Sequence, residues 1–145
     1  MTNIAICGAN GKMGKNIYNC VIERDDCQVV AGIDIYTKEY ADFPIVEKPA
    51  DLPVKPDVII DFSNPASLDG LLDYCQSTGT PIVVASTGYS DEQIAQIKAA
   101  AQQIPVFFTF NMSLGINLLV QLAKKAASVL GDQFDIEIVE KHHNQ

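Results

Sequence analysis

The sequence predicts an α/β fold, a doubly wound parallel sheet with helices on both faces. Three observations carry this expectation. Short apolar runs of strand length alternate with helix-like segments along most of the chain. These runs are nearly continuous in apolar residues instead of alternating, as strands buried on both faces are. The first run, Ile4–Cys7, leads into a turn of regularly spaced glycines, Gly8-Ala9-Asn10-Gly11-Lys12-Met13-Gly14, and a helix-like segment follows.

Taken in order, Asn3–Cys7 is expected as the first strand and Lys12–Glu23 as a helix whose apolar positions include Met13, Ile17, Tyr18, Val21 and Ile22. Val29–Asp34 is the second strand. The segment 36–56 holds three prolines before Pro56 and mixed charge, so it is expected to be mostly irregular with one short helix. Val58–Asp61 is a strand of mainly β-branched residues that ends in an acid. Pro65–Ser77 is a helix, with Asn64 as N-cap and proline in the first turn. Pro81–Ala85 is a buried strand, and Asp91–Gln103 is a helix with Ser90 as N-cap and Gln93 in the capping-box position. Val106–Thr109 is the next strand, Ser113–Leu130 a long amphipathic helix, and Phe134–Val139 a last strand.

Bulk properties narrow the function classes. The chain has 145 residues, the size of one ordinary domain, with 48% hydrophobic and 19% charged residues. Its net charge of −8 argues against a nucleic-acid surface, which needs clustered lysine and arginine. No run of about 18 apolar residues is present to span a membrane, and the N-terminus enters a strand without the pattern of a signal segment. The four cysteines, Cys7, Cys20, Cys27 and Cys75, lack metal-ligand spacing. They are expected as free thiols of a cytoplasmic protein, with no metal site.

In a doubly wound sheet, ligands bind at the carboxyl ends of the strands. The ends here carry Gly8–Met13, Asp34, Asp61-Phe62-Ser63, Ala85-Ser86-Thr87-Gly88-Tyr89 and Thr109-Phe110-Asn111-Met112. Small, hydroxyl, amide and acidic residues at all five ends favour a nucleotide groove. Gly8, Gly11 and Gly14 let the backbone approach a pyrophosphate at a helix N-terminus, and Lys12 adds a nearby cation. Asp34, about twenty residues beyond the turn, is placed to accept the ribose hydroxyls. A carboxylate there repels a 2′-phosphate, and Ile35 brings no positive charge, so NADH is the expected preference. Lys38 leaves NADPH possible. Ser86-Thr87-Gly88 and Asn111-Met112-Ser113 read as a wall around the nicotinamide, although Ser113 also serves as a helix cap. Met112 and Phe62 read equally as packing residues or cofactor contacts. Glu140-Lys141-His142-His143 reads, from its residues alone, as a solvated polar end.

These pieces together resemble the dihydrodipicolinate reductase family of bacterial lysine and diaminopimelate biosynthesis. The matching words are Gly8–Gly14, Asp61-Phe62-Ser63-Asn64-Pro65, Ser86-Thr87-Gly88-Tyr89, Asn111-Met112-Ser113-Leu114-Gly115-Ile116-Asn117 and Asp135–His143, in that order along essentially the whole chain. The glycine turn is common to many dehydrogenases, whereas the Asn-x-Ser-x-Gly-x-Asn and Glu-x-His-His words are far more specific. The resemblance implies a Rossmann-type cofactor domain over residues 1–112 and the start of an α+β substrate and tetramerisation domain over 113–145. It implies NAD(P)H contacts from Gly8, Ala9, Asn10, Gly11, Lys12, Met13, Asp34, Ala85, Ser86, Thr87, Thr109, Phe110, Asn111 and Met112. His142 matches the proton donor and His143 a substrate-binding position. The implied substrate is a small cyclic imine dicarboxylate, 4-hydroxy-tetrahydrodipicolinate, and the implied assembly of the full-length family is a homotetramer.

The family continues beyond the position of Gln145 with a lysine, a substrate-binding loop and the assembly sheet. The expectation is therefore a truncated reductase, or the N-terminal portion of a longer product, that binds cofactor with little or no turnover. The rival expectations are a stand-alone NAD(H)-binding module without catalysis and an unrelated small Rossmann oxidoreductase.

Overall fold

Strand β1 (Thr2–Cys7) shows why both faces of the sheet are covered. Its last four residues are all buried, and successive side chains of a strand point to opposite faces. Ala5 and Cys7 enter one core cluster with Ile59, Leu68, Leu71, Cys75 and Ile82. Ile4 and Ile6 enter a second with Ala9, Val21, Phe43 and Ile45. No residue of this run is left for solvent, so an apolar sequence without alternation is what the position requires.

The computed structural model describes residues 1–139 and 141. Around β1 run β2 (Cys27–Ile33), β3 (Ile45–Val46), β4 (Val58–Asp61), β5 (Ile82–Val84) and β6 (Val106–Phe108). Every pairing is parallel and the order is β3-β2-β1-β4-β5-β6. The sheet thus grows outward in both directions from β1 and β4. That reversal opens a crevice at their carboxyl ends. The helices are α1 (Lys12–Val21), α2 (Leu68–Thr78), α3 (Asp91–Ala100) and α4 (Leu114–Leu130).

The expected α/β architecture is the one observed, with three differences. The segment 36–56 contains not only a short 3-10 turn, Pro49–Asp51, but also the edge strand β3. Its two residues pair with Gly32 and Ile33; an element this short between Pro44 and Pro49 leaves no periodic signal to read. Residues Pro65–Ser67 form a 3-10 turn ahead of α2 instead of its first α-helical turn, with the Asn64 side chain accepting from the Ala66 N–H.

The third difference is a correction. Phe134–Val139, expected as a strand, forms no ladder among the described residues. Alternating Phe134, Ile136 and Ile138 suit a strand, but all three are exposed. Backbone donors and acceptors make a strand only against a neighbour.

Met1–Phe110 forms one compact unit and the residues from Asn111 a second. Within the second, α4 is capped by Ser113, whose hydroxyl accepts from the Ile116 N–H. Gly131 follows with positive φ, and a 3-10 turn spans Gly131–Gln133. The apolar residues Leu114, Leu118, Leu119, Leu122 and Val129 of α4 are exposed.

Candidate functional site

The turn between β1 and α1 is shaped by what two glycines lack. Gly8 has φ of +77°, and a Cβ there would lie 2.7 Å from the Phe62 carbonyl oxygen. A Cβ on Gly14 would lie 2.7 Å from the Ala9 carbonyl oxygen, so the first turn of α1 sits directly on the loop. The loop is held by the Gly8 N–H on Ile33 O (2.8 Å) and the Gly11 N–H on Gly8 O (3.0 Å). Ala9 is fully buried behind it.

No side chain caps α1 and no acid lies in its first turn. The first N–H groups of a helix have no partner within it and carry the positive end of its dipole. At Lys12, Met13 and Gly14 they are therefore available to an anion. The side chains of Lys12 and Met13 are exposed.

Asp34 follows β2 and faces this turn. Its Oδ2 accepts the Asn10 N–H at 2.9 Å and its Oδ1 the Tyr36 N–H at 3.0 Å. The Asn10 side-chain amide donates to the carbonyls of Tyr36 (2.5 Å) and Lys38 (3.1 Å). A cavity of about 360 Å³ lies over these groups, lined among others by Gly8, Asn10, Gly11, Asp34, Phe62 and Ser63. The structure thus brings together five residues singled out in the sequence: Gly8, Asn10, Gly11, Asp34 and Phe62.

Across the crevice, the end of β4 carries a residue that the sequence reading noted without assigning it to the site. Asp61 is fully buried. Its Oδ1 accepts from the Ser63 N–H (3.0 Å) and hydroxyl (2.5 Å), and its Oδ2 from the hydroxyls of Ser86 (3.2 Å) and Tyr89 (3.1 Å). In the sequence it shows as an acid that ends an apolar strand and opens the word Asp61-Phe62-Ser63-Asn64-Pro65, and neither feature announces its burial. Its surroundings feel the charge. Burial first, and the Asp61 carboxylate second, push the Cys7 thiol up to about 12 and raise the Tyr89 phenol above its usual value.

The other expected contacts are distributed as follows. Ala85 and Ser86 are buried at the end of β5, where the Ala85 N–H donates to Asp61 O (3.0 Å), and Thr87 is exposed. The Thr109 N–H donates to Val84 O (3.2 Å), and the Phe110 ring packs edge-on against Phe108. Asn111 and Met112 belong to the second unit, where Asn111 Oδ1 accepts the Ser113 N–H (2.7 Å). His142 and His143 lie outside the described residues. Among the described residues no His, Cys, Asp and Glu group could hold a metal ion, and no helix is long and apolar enough to cross a membrane.

A parallel sheet of this order, with a glycine turn and an acid after the second strand meeting over a crevice, defines a Rossmann-type α/β domain. The model of the dihydrodipicolinate reductase N-terminus matches residues 2–112, and that of the C-terminus matches residues 115–145. The chain belongs to the dihydrodipicolinate reductase family.

Two 4-hydroxy-tetrahydrodipicolinate reductases illustrate the likeness. The protein of Clostridium botulinum (strain Eklund 17B / Type B) is 46% identical over 145 residues, covering 100% of this chain and 57% of the relative. That of Clostridium tetani (strain Massachusetts / E88) is 43% identical over the same shares. The chain therefore spans little more than half the length of these relatives. Among solved structures, the dipicolinate-bound dihydrodipicolinate reductase of Paenisporosarcina sp. TG-14 shares the fold. Its TM-score is 0.77 at 24% identity, over 88% of this chain and 54% of that one.

Proposed function

We propose that this chain is the cofactor-binding part of a 4-hydroxy-tetrahydrodipicolinate reductase that uses NAD(P)H in lysine and diaminopimelate biosynthesis. The observation that carries the reading is the meeting of the uncapped α1 N-terminus, the side-chain-free Gly8 and Gly11, and the Asp34 carboxylate over one groove. The groove fits a dinucleotide in charge and shape: N–H groups for the pyrophosphate, a carboxylate for a ribose diol.

Within this reading Gly8 to Met13 hold the phosphates, with Ala9 packed beneath them. Asp34 takes the adenosine ribose and favours NADH over NADPH, since Ile35 offers no cation to a 2′-phosphate; Lys38 keeps NADPH accessible. Phe62, Ala85, Ser86, Thr87, Thr109 and Phe110 surround the nicotinamide end, and the family resemblance assigns cofactor contacts to Asn111 and Met112 as well. A bound nicotinamide supplies the hydride. His142 supplies the proton that the reduced imine system then needs, a task suited to a group titrating near neutrality. His143 holds a substrate carboxylate. The division at residues 112 and 113, a homotetramer of the full-length protein and a cytoplasmic location belong to the same proposal.

Calorimetric titration of NADH, with and without pyridine-2,6-dicarboxylate as a stable substrate mimic, tests it. NADH binding strengthened by the diacid supports the reductase. NADH binding indifferent to the diacid points instead to a nucleotide-binding module. No association at millimolar NADH overturns the reading.

A further inference from the structure

We propose that Asp61 is a positioning residue that locks together the two loops on the nicotinamide side of the crevice. The inference rests on the dinucleotide reading above and goes beyond it. Asp61 closes β4 in register with Cys7 of β1 and Val84 of β5, at the point where the sheet reverses direction. Its two carboxylate oxygens divide their work. Oδ1 serves the loop after β4 through Ser63, and Oδ2 serves the loop after β5 through Ser86 and Tyr89.

A fully buried carboxylate is costly unless its charge is matched by donors. Here four hydrogen bonds come from two loops and none from a cation. The donors are one backbone N–H and three hydroxyls, of which only the Ser63 hydroxyl, at 2.5 Å, is short. The Ser63 hydroxyl lies 2.6 Å from that of Ser67, which donates to Asn64 O, so the β4 loop is closed a second time. The Gln93 side chain donates to Pro65 O at 2.8 Å and ties the start of α3 to the same loop. Such a network costs most when half satisfied, so both loops are held in one arrangement or both loosen.

The adenosine side has hydrogen bonds of its own, although Phe62 and Ser63 line the same cavity as Gly8 and Asp34. Asp34 and the glycine turn belong to the β1 and β2 ends and share none of the Asp61 hydrogen bonds. Loss of the Asp61 network should therefore weaken the part of a dinucleotide beyond the pyrophosphate and spare the adenosine part. A merely structural role would weaken both alike.

The test compares NADH with 5′-AMP as ligands of the whole 145-residue chain. Tyr89→Phe removes one hydroxyl donor and leaves the ring in place against Phe108. It should raise the Kd for NADH about tenfold, one buried charge-assisted hydrogen bond, and leave the Kd for AMP unchanged. Asp61→Asn should give the same split with a larger factor, and if it does not fold, Tyr89→Phe alone decides. Unchanged NADH affinity in Tyr89→Phe, or equal losses for both ligands, overturns the role of Asp61 while the dinucleotide reading stands. A wild-type chain that binds neither ligand overturns both.

Discussion

Asn10 and Asp34 hold each other at the ends of β1 and β2, the backbone N–H of one on the carboxylate of the other at 2.9 Å. The same asparagine reaches further with its side-chain amide, to the carbonyls of Tyr36 and Lys38. One residue of the glycine turn therefore fastens the segment after β2, and the proposed ribose acid is aimed by the proposed phosphate loop. Because Tyr36 N–H occupies the other carboxylate oxygen, Asp34 is oriented before any ligand arrives.

Asn10→Ala keeps the backbone bond to Asp34 and deletes both side-chain bonds. The segment 35–38 loses its tether. NADH affinity should fall about three- to tenfold, the effect of one or two exposed hydrogen bonds, with little change in urea midpoint. Calorimetric titration beside a denaturation curve separates the two, and an unaltered Kd would remove Asn10 from the site.

Gly14→Ala tests the seat of α1 on the turn. The added methyl group meets the carbonyl oxygens of Gly8 and Ala9, which are backbone atoms and cannot swing aside. A loss of about 1–3 kcal/mol in urea unfolding is expected, together with loss of NADH binding. By contrast Gly70→Ala, where nothing lies within 4 Å of the new methyl group, should be neutral or slightly stabilising in the helix.

The buried thiols give a pH dependence with a definite sign. Burial first and the charge of Asp61 second raise Cys7 and Cys75 to about 12 from an ordinary value of 9.0. The folded chain keeps its proton where the unfolded chain loses it. This contribution is complete below about pH 9 and is lost as pH rises toward 12. Urea midpoints should fall across that interval, and less steeply in Cys75→Ala. At about pH 8 an alkylating reagent should modify the exposed Cys20 first, and Cys7 and Cys75 only on unfolding.

Ser90 and Gln93 form a reciprocal cap at the start of α3. Ser90→Ala should cost about 1 kcal/mol in urea unfolding. Gln93→Ala should cost more, because its amide also holds Pro65 O of the loop after β4. Equal losses would show that the link to Pro65 contributes nothing.

Elements that report themselves by period or by a capping residue were readable in advance. β1 is an unbroken apolar run; Ser90 with Gln93 and Ser113 announce the starts of α3 and α4. The glycine turn was readable because its spacing answers a local steric demand. β3 was not, because two residues carry no period, and Phe134–Val139 misled because its alternation is only half of what a strand needs. Asp61 was visible as an acid at a strand end, but its hydrogen-bond partners Ser86 and Tyr89 are far away in the chain, so its burial could not be inferred.

Composition and order along the chain were enough to set the parallel α/β class, the place of the phosphate-type turn and the identity of the acid after β2. These depend on neighbours a few residues apart. Folding in three dimensions decided that Asn10 clamps Asp34 and that one buried carboxylate bridges the loops after β4 and β5. Both facts join residues 24 to 28 positions apart. Only the sheet order, which lays β1 beside β2 and β4 beside β5, brings those groups within hydrogen-bonding distance.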